Sequence, residues 1–243
     1  MANTMPVAPD RHGAGSPPAF PHALVTASPA YYDDTLFAAK RQEYRFGGVA
    51  DRMKFAPFIG PRDRVLDFGC RGGYLLANFE CGERLGIEPS PRFREECAEA
   101  GVPAVPTLGE VPDQWADVLI SHHVLEHVPS PYETLMALRR KVRPGGTVVF
   151  VVPCESVKTA YDPGDPHNHL FTWSPLNLGN LFKAAGYRVL SAEACFHRWP
   201  PKGSLLQRCL GWKAFHALSW AYGRLFTRLS QTIVVATPAG ERG

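Results

Sequence analysis

Two groups of residues in this 243-residue chain have types and spacing suited to chemistry. The first is a glycine-rich turn, VLDFGCRGGYLL, in which an apolar run reaches Asp67 and is followed by Gly69, Gly72 and Gly73. A strand, a tight turn and a helix start in that order bring backbone amides close to a nucleotide-like ligand. Arg71 puts a bulky cation inside that turn. The second group is histidine-rich: SHHVLEHV holds His122, His123, Glu126 and His127, and DPGDPHNHLFTW holds Asp165, His167 and His169. A neutral imidazole near pH 7 can take a proton from a hydroxyl. His123, Glu126 and His127 also have the H-x-x-E-H spacing of some zinc proteases, which needs a helix to bring both histidines to one face. Here the apolar strand ADVLI runs straight into the motif, and no metal is expected.

The elements that must position these residues alternate. Strands are expected at Arg64–Phe68, Arg84–Ile87, Ala104–Val105, Ala116–Ser121, Gly146–Val152, Tyr187–Ala194 and Thr232–Ala236, with helices between them, as in a doubly wound parallel α/β sheet. Ser90-Pro91, Ser130-Pro131 and Ser174-Pro175 each supply an N-cap hydroxyl followed by proline at the first helical position. Gly101, Gly145 and Gly186 stand near the corresponding helix ends. Before the sheet, Tyr31–Phe46 and Gly48–Ile59 read as two helices. The organisation expected is a disordered tail over 1–29, N-terminal helices over 30–60 and one domain over 61–243, with an insertion at about 197–230.

From about Arg64 to Pro238 the order of motifs resembles the class I S-adenosylmethionine-dependent methyltransferases. The matching pieces are VLDFGCRGGYLL, LGIEPS, ADVLISHHVLEHVPSPYETLMALRRKVRPGGTVVFVVP and HNHLFTWSPLNLGNLFKAAGY. The resemblance implies a Rossmann-like sheet of seven strands in the order 3-2-1-4-5-7-6, the last antiparallel, and S-adenosylmethionine as cofactor. It implies that Asp67, Gly69 and Gly73 line the methionine end, with Asp67 on the ammonium side, and that Glu88 accepts hydrogen bonds from both ribose hydroxyls. Residues beyond the fourth strand face the methyl donor in the family, which places Ser121 and His122, and equally His123, near it, while Glu126 and His127 are expected to cap or pack the short following helix. His122 and His167, then His169, are the expected catalytic histidines. The adenine side is poorly marked: Thr107, Leu108 and Glu110 offer no clear choice.

Arg71 stands where the family usually has glycine. Either it points out of the turn or toward the cofactor carboxylate, whose charge it could pair, or it intrudes and weakens binding. A nicotinamide dehydrogenase fits worse, because G-x-G-x-x-G from Gly69 would need glycine at Arg71 and Tyr74.

The rest of the chain bounds the reading. The formal charge of +3 is too small to imply nucleic acid, and the six cysteines form no C-x-x-C pair, which fits a reducing cytoplasm. The first 29 residues lack an apolar stretch of signal-peptide length, with a transit peptide as the alternative. The segment FHRWPPKGSLLQRCLGWKAFHALSWAYGRLFTRLSQ is apolar and basic, with Arg198, Lys202, Arg208, Lys213, Arg224 and Arg228 and no acid. It could pack on the domain or a second subunit, wall the substrate site, or lie on an anionic membrane.

The expected activity is methyl transfer to a small hydroxylated metabolite, such as a sugar or nucleoside intermediate, in some cases phosphorylated. The long HNHLFTWSPLNLGNLFKAAGY segment resembles versions from bacterial polysaccharide and antibiotic pathways. The alternative is a methyltransferase-like protein that no longer methylates and binds or transforms a nucleotide-linked substrate.

Overall fold

The structure, a computed structural model, describes residues 34–156, 158–165, 167–226 and 229–240. The tail expected over 1–29, the first residues of the expected Tyr31–Phe46 helix and Arg228 lie outside them. Seven strands form one sheet: β1 (Arg64–Phe68), β2 (Glu83–Ile87), β3 (Ala104–Val105), β4 (Ala116–His122), β5 (Val142–Glu155), β6 (Tyr187–Cys195) and β7 (Leu229–Pro238). Their order is β3-β2-β1-β4-β5-β7-β6, as the family resemblance implies. β1 to β5 pair in parallel, and β7 runs antiparallel to both β5 and β6.

The central strands read as unbroken apolar runs because both sheet faces are covered. Along β1, β4 and β5 alternate side chains enter opposite cores. Leu66, Leu119, Val148 and Phe150 pack with Leu135 and Leu138 of α3 (Pro131–Lys141) and Leu178 and Phe182 of α4 (Pro175–Ala184). Val65, Val118, Ile120, Val149 and Val151 pack on the other face with Phe55, Leu76, Phe79 and Cys97, the last from α2 (Pro91–Glu99). Truncating a wholly buried ring such as Phe150 to alanine would cost about 3–5 kcal/mol. β5 is longer than its apolar pattern suggests because its end, through Glu155, pairs with Leu229 of β7 beyond the reach of β4.

Two sequence expectations change. A single helix, α1 (Asp34–Asp51), crosses Gly47 and Gly48, and short 3-10 turns at Arg52–Lys54 and Ala56–Phe58 replace the second expected helix. Gly48 serves a close approach: a Cβ there would lie 2.3 Å from the Tyr74 carbonyl oxygen. The three Ser-Pro pairs do begin helices, but only Ser174 caps with its side chain, accepting from the Asn177 amide at 3.4 Å. At Ser90 the backbone amide instead donates to Glu88 Oε1 at 2.9 Å, part of the site.

The insertion forms α5 (Gly203–Leu225), broken at Gly211. It docks on α1 through aromatic contacts: Phe46 lies 5.2 Å from Trp199, 5.8 Å from Trp212 and 5.5 Å from Phe215, between ring centroids. Its other side leaves Leu205, Leu210, Leu218 and Leu225 exposed. Among the described residues no helix is long and apolar enough to cross a membrane.

Candidate active site

Two cavities, of about 310 Å³ and 520 Å³, open at the carboxyl ends of the strands. They share Asp51, His122, His123, His127 and Trp199 in their walls, so they meet at the end of β4. That is where ligands sit in open parallel sheets.

The first cavity is built on the glycine turn. Gly69 adopts φ +78°, and a Cβ there would lie 2.3 Å from Val124 Cγ2, so only glycine lets the turn close against the segment after β4. Arg71 also takes a left-handed conformation, at φ 49°. Its amide donates to Glu88 Oε2 at 3.0 Å, while the Ser90 amide holds Oε1. The Glu88 carboxylate is thereby fixed at the end of β2 with each oxygen keeping a further lone pair for a ligand hydroxyl. The Arg71 guanidinium lies on the Tyr44 ring, 3.6 Å from its centroid, and 5.2 Å from that of Phe93. It is thus directed to an aromatic layer that includes α1. Tyr44, Phe93 and Pro89 line the cavity beside Glu88.

Asp67, at the end of β1, is buried in the cavity wall. Burial, and then the nearby Glu88 carboxylate, push its carboxyl up to about 8. Burial likewise raises Glu88, against the two amides that favour its charged form. Among the described residues no cation offsets the effect of burial and Glu88 on Asp67, a setting suited to an ammonium-bearing ligand. The shape, the fixed Glu88 and the acidic Asp67 together fit S-adenosylmethionine.

Two expected cofactor residues are not in this wall. Gly73 is set back in the turn, its amide donating to the Cys70 carbonyl at 2.9 Å. Ser121 is buried and donates to the Phe68 carbonyl at 2.9 Å, tying β4 to β1. Side chains alternate along β4, so Ser121 lies on the opposite face of the strand from His122, which lines both cavities. Thr107 and Glu110 bond to each other at 2.9 Å, and neither lines the first cavity.

The second cavity is lined mainly by histidines and other polar or charged residues. His122 Nε2 lies 3.4 Å from Lys54 Nζ and 3.9 Å from Asp51 Oδ2. Lys54 bonds Asp51 at 2.6 Å and Gln231 at 2.8 Å. Burial would raise the Asp51 carboxyl, but the Lys54 charge and hydrogen bond, with His122 and His197 nearby, outweigh it and hold it at about 2. Burial, then the Lys54 and His123 charges, drive His122 well below its ordinary value, so it is neutral at physiological pH. His167 and His169 both line this cavity, 5.6 Å apart between ring centroids. Asp165 does not reach it; its carboxylate accepts from the His167 and Asn168 amides at 3.1 and 3.2 Å and shapes their loop. Glu126 and His127, expected only to cap or pack, line the cavity from a 3-10 turn at Leu125–His127.

Sequence reasoning missed Tyr44, Asp51, Lys54, Glu155 and Gln231. They come from α1, the turn after it, the end of β5 and the start of β7, and no local pattern marks them.

Comparison with known proteins agrees with this geometry. A family profile described as a methyltransferase domain matches residues 41–192. A tRNA U34 carboxymethyltransferase of Chromohalobacter salexigens is 30% identical over 198 residues, 69% of this chain and 56% of that protein. A ubiquinone biosynthesis O-methyltransferase of Aeromonas salmonicida is 32% identical over 152 residues, 52% of this chain and 63% of that protein. The chain therefore spans little more than half the length of these relatives. Among solved structures, a SAM-dependent methyltransferase from Archaeoglobus fulgidus superposes with TM-score 0.59 at 18% identity, covering 84% of this chain and 99% of that one. The fold, the glycine turn with Glu88 and the family match agree: the chain belongs to the class I S-adenosylmethionine-dependent methyltransferases.

Proposed function

We propose that the first cavity holds S-adenosylmethionine and the second holds a small hydroxylated acceptor, methylated on oxygen. The observation that carries this reading is the shared wall at His122, where the glycine-turn cavity holding Asp67 and Glu88 meets a cavity lined by histidines, by Lys54 and Arg198, and by the carboxylates of Asp51, Glu126 and Glu155. The bound cofactor supplies an electrophilic methyl group on sulfur.

The chain's residues do the rest. Glu88 would take the ribose hydroxyls and Asp67 the ammonium, and the Tyr44 and Arg71 layer bounds the cavity toward α1. His122, beside Lys54 and Asp51, is the base that receives the acceptor proton. Transfer would exchange the cofactor's sulfur–carbon bond for the new oxygen–carbon bond and leave S-adenosylhomocysteine, and these residues would promote it mainly by holding the reacting atoms together. Asp51 stabilises the imidazolium so formed. His167 and His169 bound the acceptor from the loop after β5, and Lys54 and Arg198 in the same wall suit an acceptor carrying phosphate. A sugar or nucleoside intermediate of a biosynthetic pathway meets these demands.

The test is transfer of labelled methyl from S-adenosylmethionine to panels of sugars, nucleosides, their phosphates and phenols, with bulk tRNA as a separate acceptor. Oxygen-linked label on a small molecule, lost in His122→Ala, is expected. Label on tRNA alone, or on nitrogen or carbon, would overturn the reading.

A further inference from the structure

Glu126 poses a problem that methyl transfer alone does not answer. Its side chain is 0% exposed, it lines the second cavity, and neither carboxylate oxygen has a hydrogen-bond partner. The groups nearest to it are imidazoles: His123 Nδ1 at 3.4 Å and His127 Nε2 at 4.0 Å from Oε1. A carboxylate removed from water with no hydrogen bond formed and only imidazoles beside it is costly, and such sites are stable when something positive completes them.

The surroundings are arranged as for a ligand. Glu126, His127 and His169 each offer a ligand atom, all within 4.8 Å of one another. The loop carrying His169 is pinned to the turn carrying Glu126, because the Leu170 and Phe171 amides donate to the Glu126 carbonyl at 2.9 and 3.3 Å. His169 Nδ1 donates to Glu155 Oε1 at 2.6 Å, which fixes the ring and leaves the Nε2 lone pair free to coordinate. A carboxylate behind a histidine is the support that metal-ligating imidazoles usually have.

The geometry points to a divalent transition-metal site made by Glu126, His127 and His169, with Glu155 orienting His169, inside the acceptor cavity. Two imidazoles and one carboxylate suit Zn²⁺, Mn²⁺ or Co²⁺; Mg²⁺ and Ca²⁺ prefer oxygen ligands throughout. Three protein ligands leave positions open for oxygens of the acceptor. A metal-bound hydroxyl gives up its proton more readily, so the cation would anchor the acceptor and sharpen the oxygen as nucleophile. The proton still passes to His122 and no redox change is involved. The H-x-x-E-H spacing thus contributes Glu126 and His127 through a 3-10 turn, with the second imidazole coming from a distant loop rather than from His123.

This role rests on the second cavity being the acceptor site, whereas metal binding itself does not. Full-length protein stripped with chelator is titrated calorimetrically with Zn²⁺ and Mn²⁺, and with Co²⁺ while following its visible bands. We expect one ion per chain, with affinity at least tenfold weaker in Glu126→Gln and in His169→Ala, and the wild-type cobalt spectrum lost in both. His169→Ala changes a loop side chain, so it keeps the test valid if Glu126→Gln fails to fold. Glu88→Gln, which removes a proposed cofactor contact, should bind metal normally. Absence of binding, or binding unchanged in His169→Ala, would overturn the site. Normal metal binding with no effect of the ion on acceptor methylation would overturn its role.

Discussion

The Arg71 amide donates to Glu88 Oε2 at 3.0 Å, so the residue that breaks the glycine pattern is tied to the acid that ends the next strand. The bond uses backbone only. What the Arg71 side chain adds is its position on Tyr44 and Phe93, a contact between the turn and α1.

Replacing Arg71 should therefore harm the cofactor site little. In Arg71→Gly the backbone is relieved of a left-handed conformation that disfavours side chains, while a cation–π contact of about 0.5–2 kcal/mol is lost. We expect S-adenosylmethionine affinity within tenfold of wild type. Tyr44→Ala should cost a similar amount, and the double variant should lose less than the two single losses together. Strict additivity in the binding measurements would show that the contact is idle.

Cofactor binding should release a proton. With its carboxyl pushed up to about 8, Asp67 is largely protonated at pH 7 in the ligand-free protein, and a bound ammonium favours the charged form. The raised value also means that Asp67 stabilises the free fold at low pH and ceases to do so as pH rises through about 8. Binding enthalpies at pH 7 in phosphate and in Tris should differ by the equivalent of close to one proton per site, and the difference should largely vanish in Asp67→Asn. Equal enthalpies in the two buffers at pH 7 would count against this role.

Much of the frame could be read from residue patterns. β1 and β3 fall where expected, because short apolar runs between a turn and a glycine or proline leave little choice of register. Glu88 was legible as the acid closing LGIEPS. The lining from α1 was not: Tyr44 and Asp51 act only because Gly48 lets the helix settle on the Tyr74 backbone, a contact across 26 residues. Ser121 and His122 show the limit of motif reading, since adjacent strand residues face opposite ways and only one can reach the site. Glu126 looked like a cap because its sequence neighbours say nothing of the His169 loop folded over it.

His122 should remain an active base into mildly acidic solution. Burial and the Lys54 and His123 charges hold it neutral well below its ordinary range, so with S-adenosylmethionine saturating, kcat/KM for the acceptor should stay level between pH 8 and 6.5 and fall only at lower pH. His122→Ala should lower kcat by about 10²–10⁴. An acid limb centred at or above pH 6.5 would assign the base to another group.

Acid should weaken the fold in two stages. His197 is buried and its imidazole is lowered to about 4, by burial first and then by Lys54. Its folded form resists protonation, so its stabilising contribution is complete above about pH 6.5 and is lost as pH falls through about 4. His122 acts in the same direction. Asp51, held at about 2, adds a loss only below about pH 4. Urea unfolding at pH 7 and pH 4 should differ less in His197→Phe than in wild type, by on the order of 2–3 kcal/mol. An unchanged difference would mean that His197 titrates normally.

The measurement that bears most directly on the two-cavity site is calorimetric titration of S-adenosylmethionine and S-adenosylhomocysteine into wild type and Glu88→Gln. Glu88 presents both oxygens under fixed amides, so its charge-assisted bonds to the ribose should be worth about 1.5–3 kcal/mol. We expect both ligands to bind wild type at a single site, about 10- to 100-fold more weakly in Glu88→Gln. Binding indifferent to Glu88, or no binding of either ligand, would contradict the assignment of the first cavity.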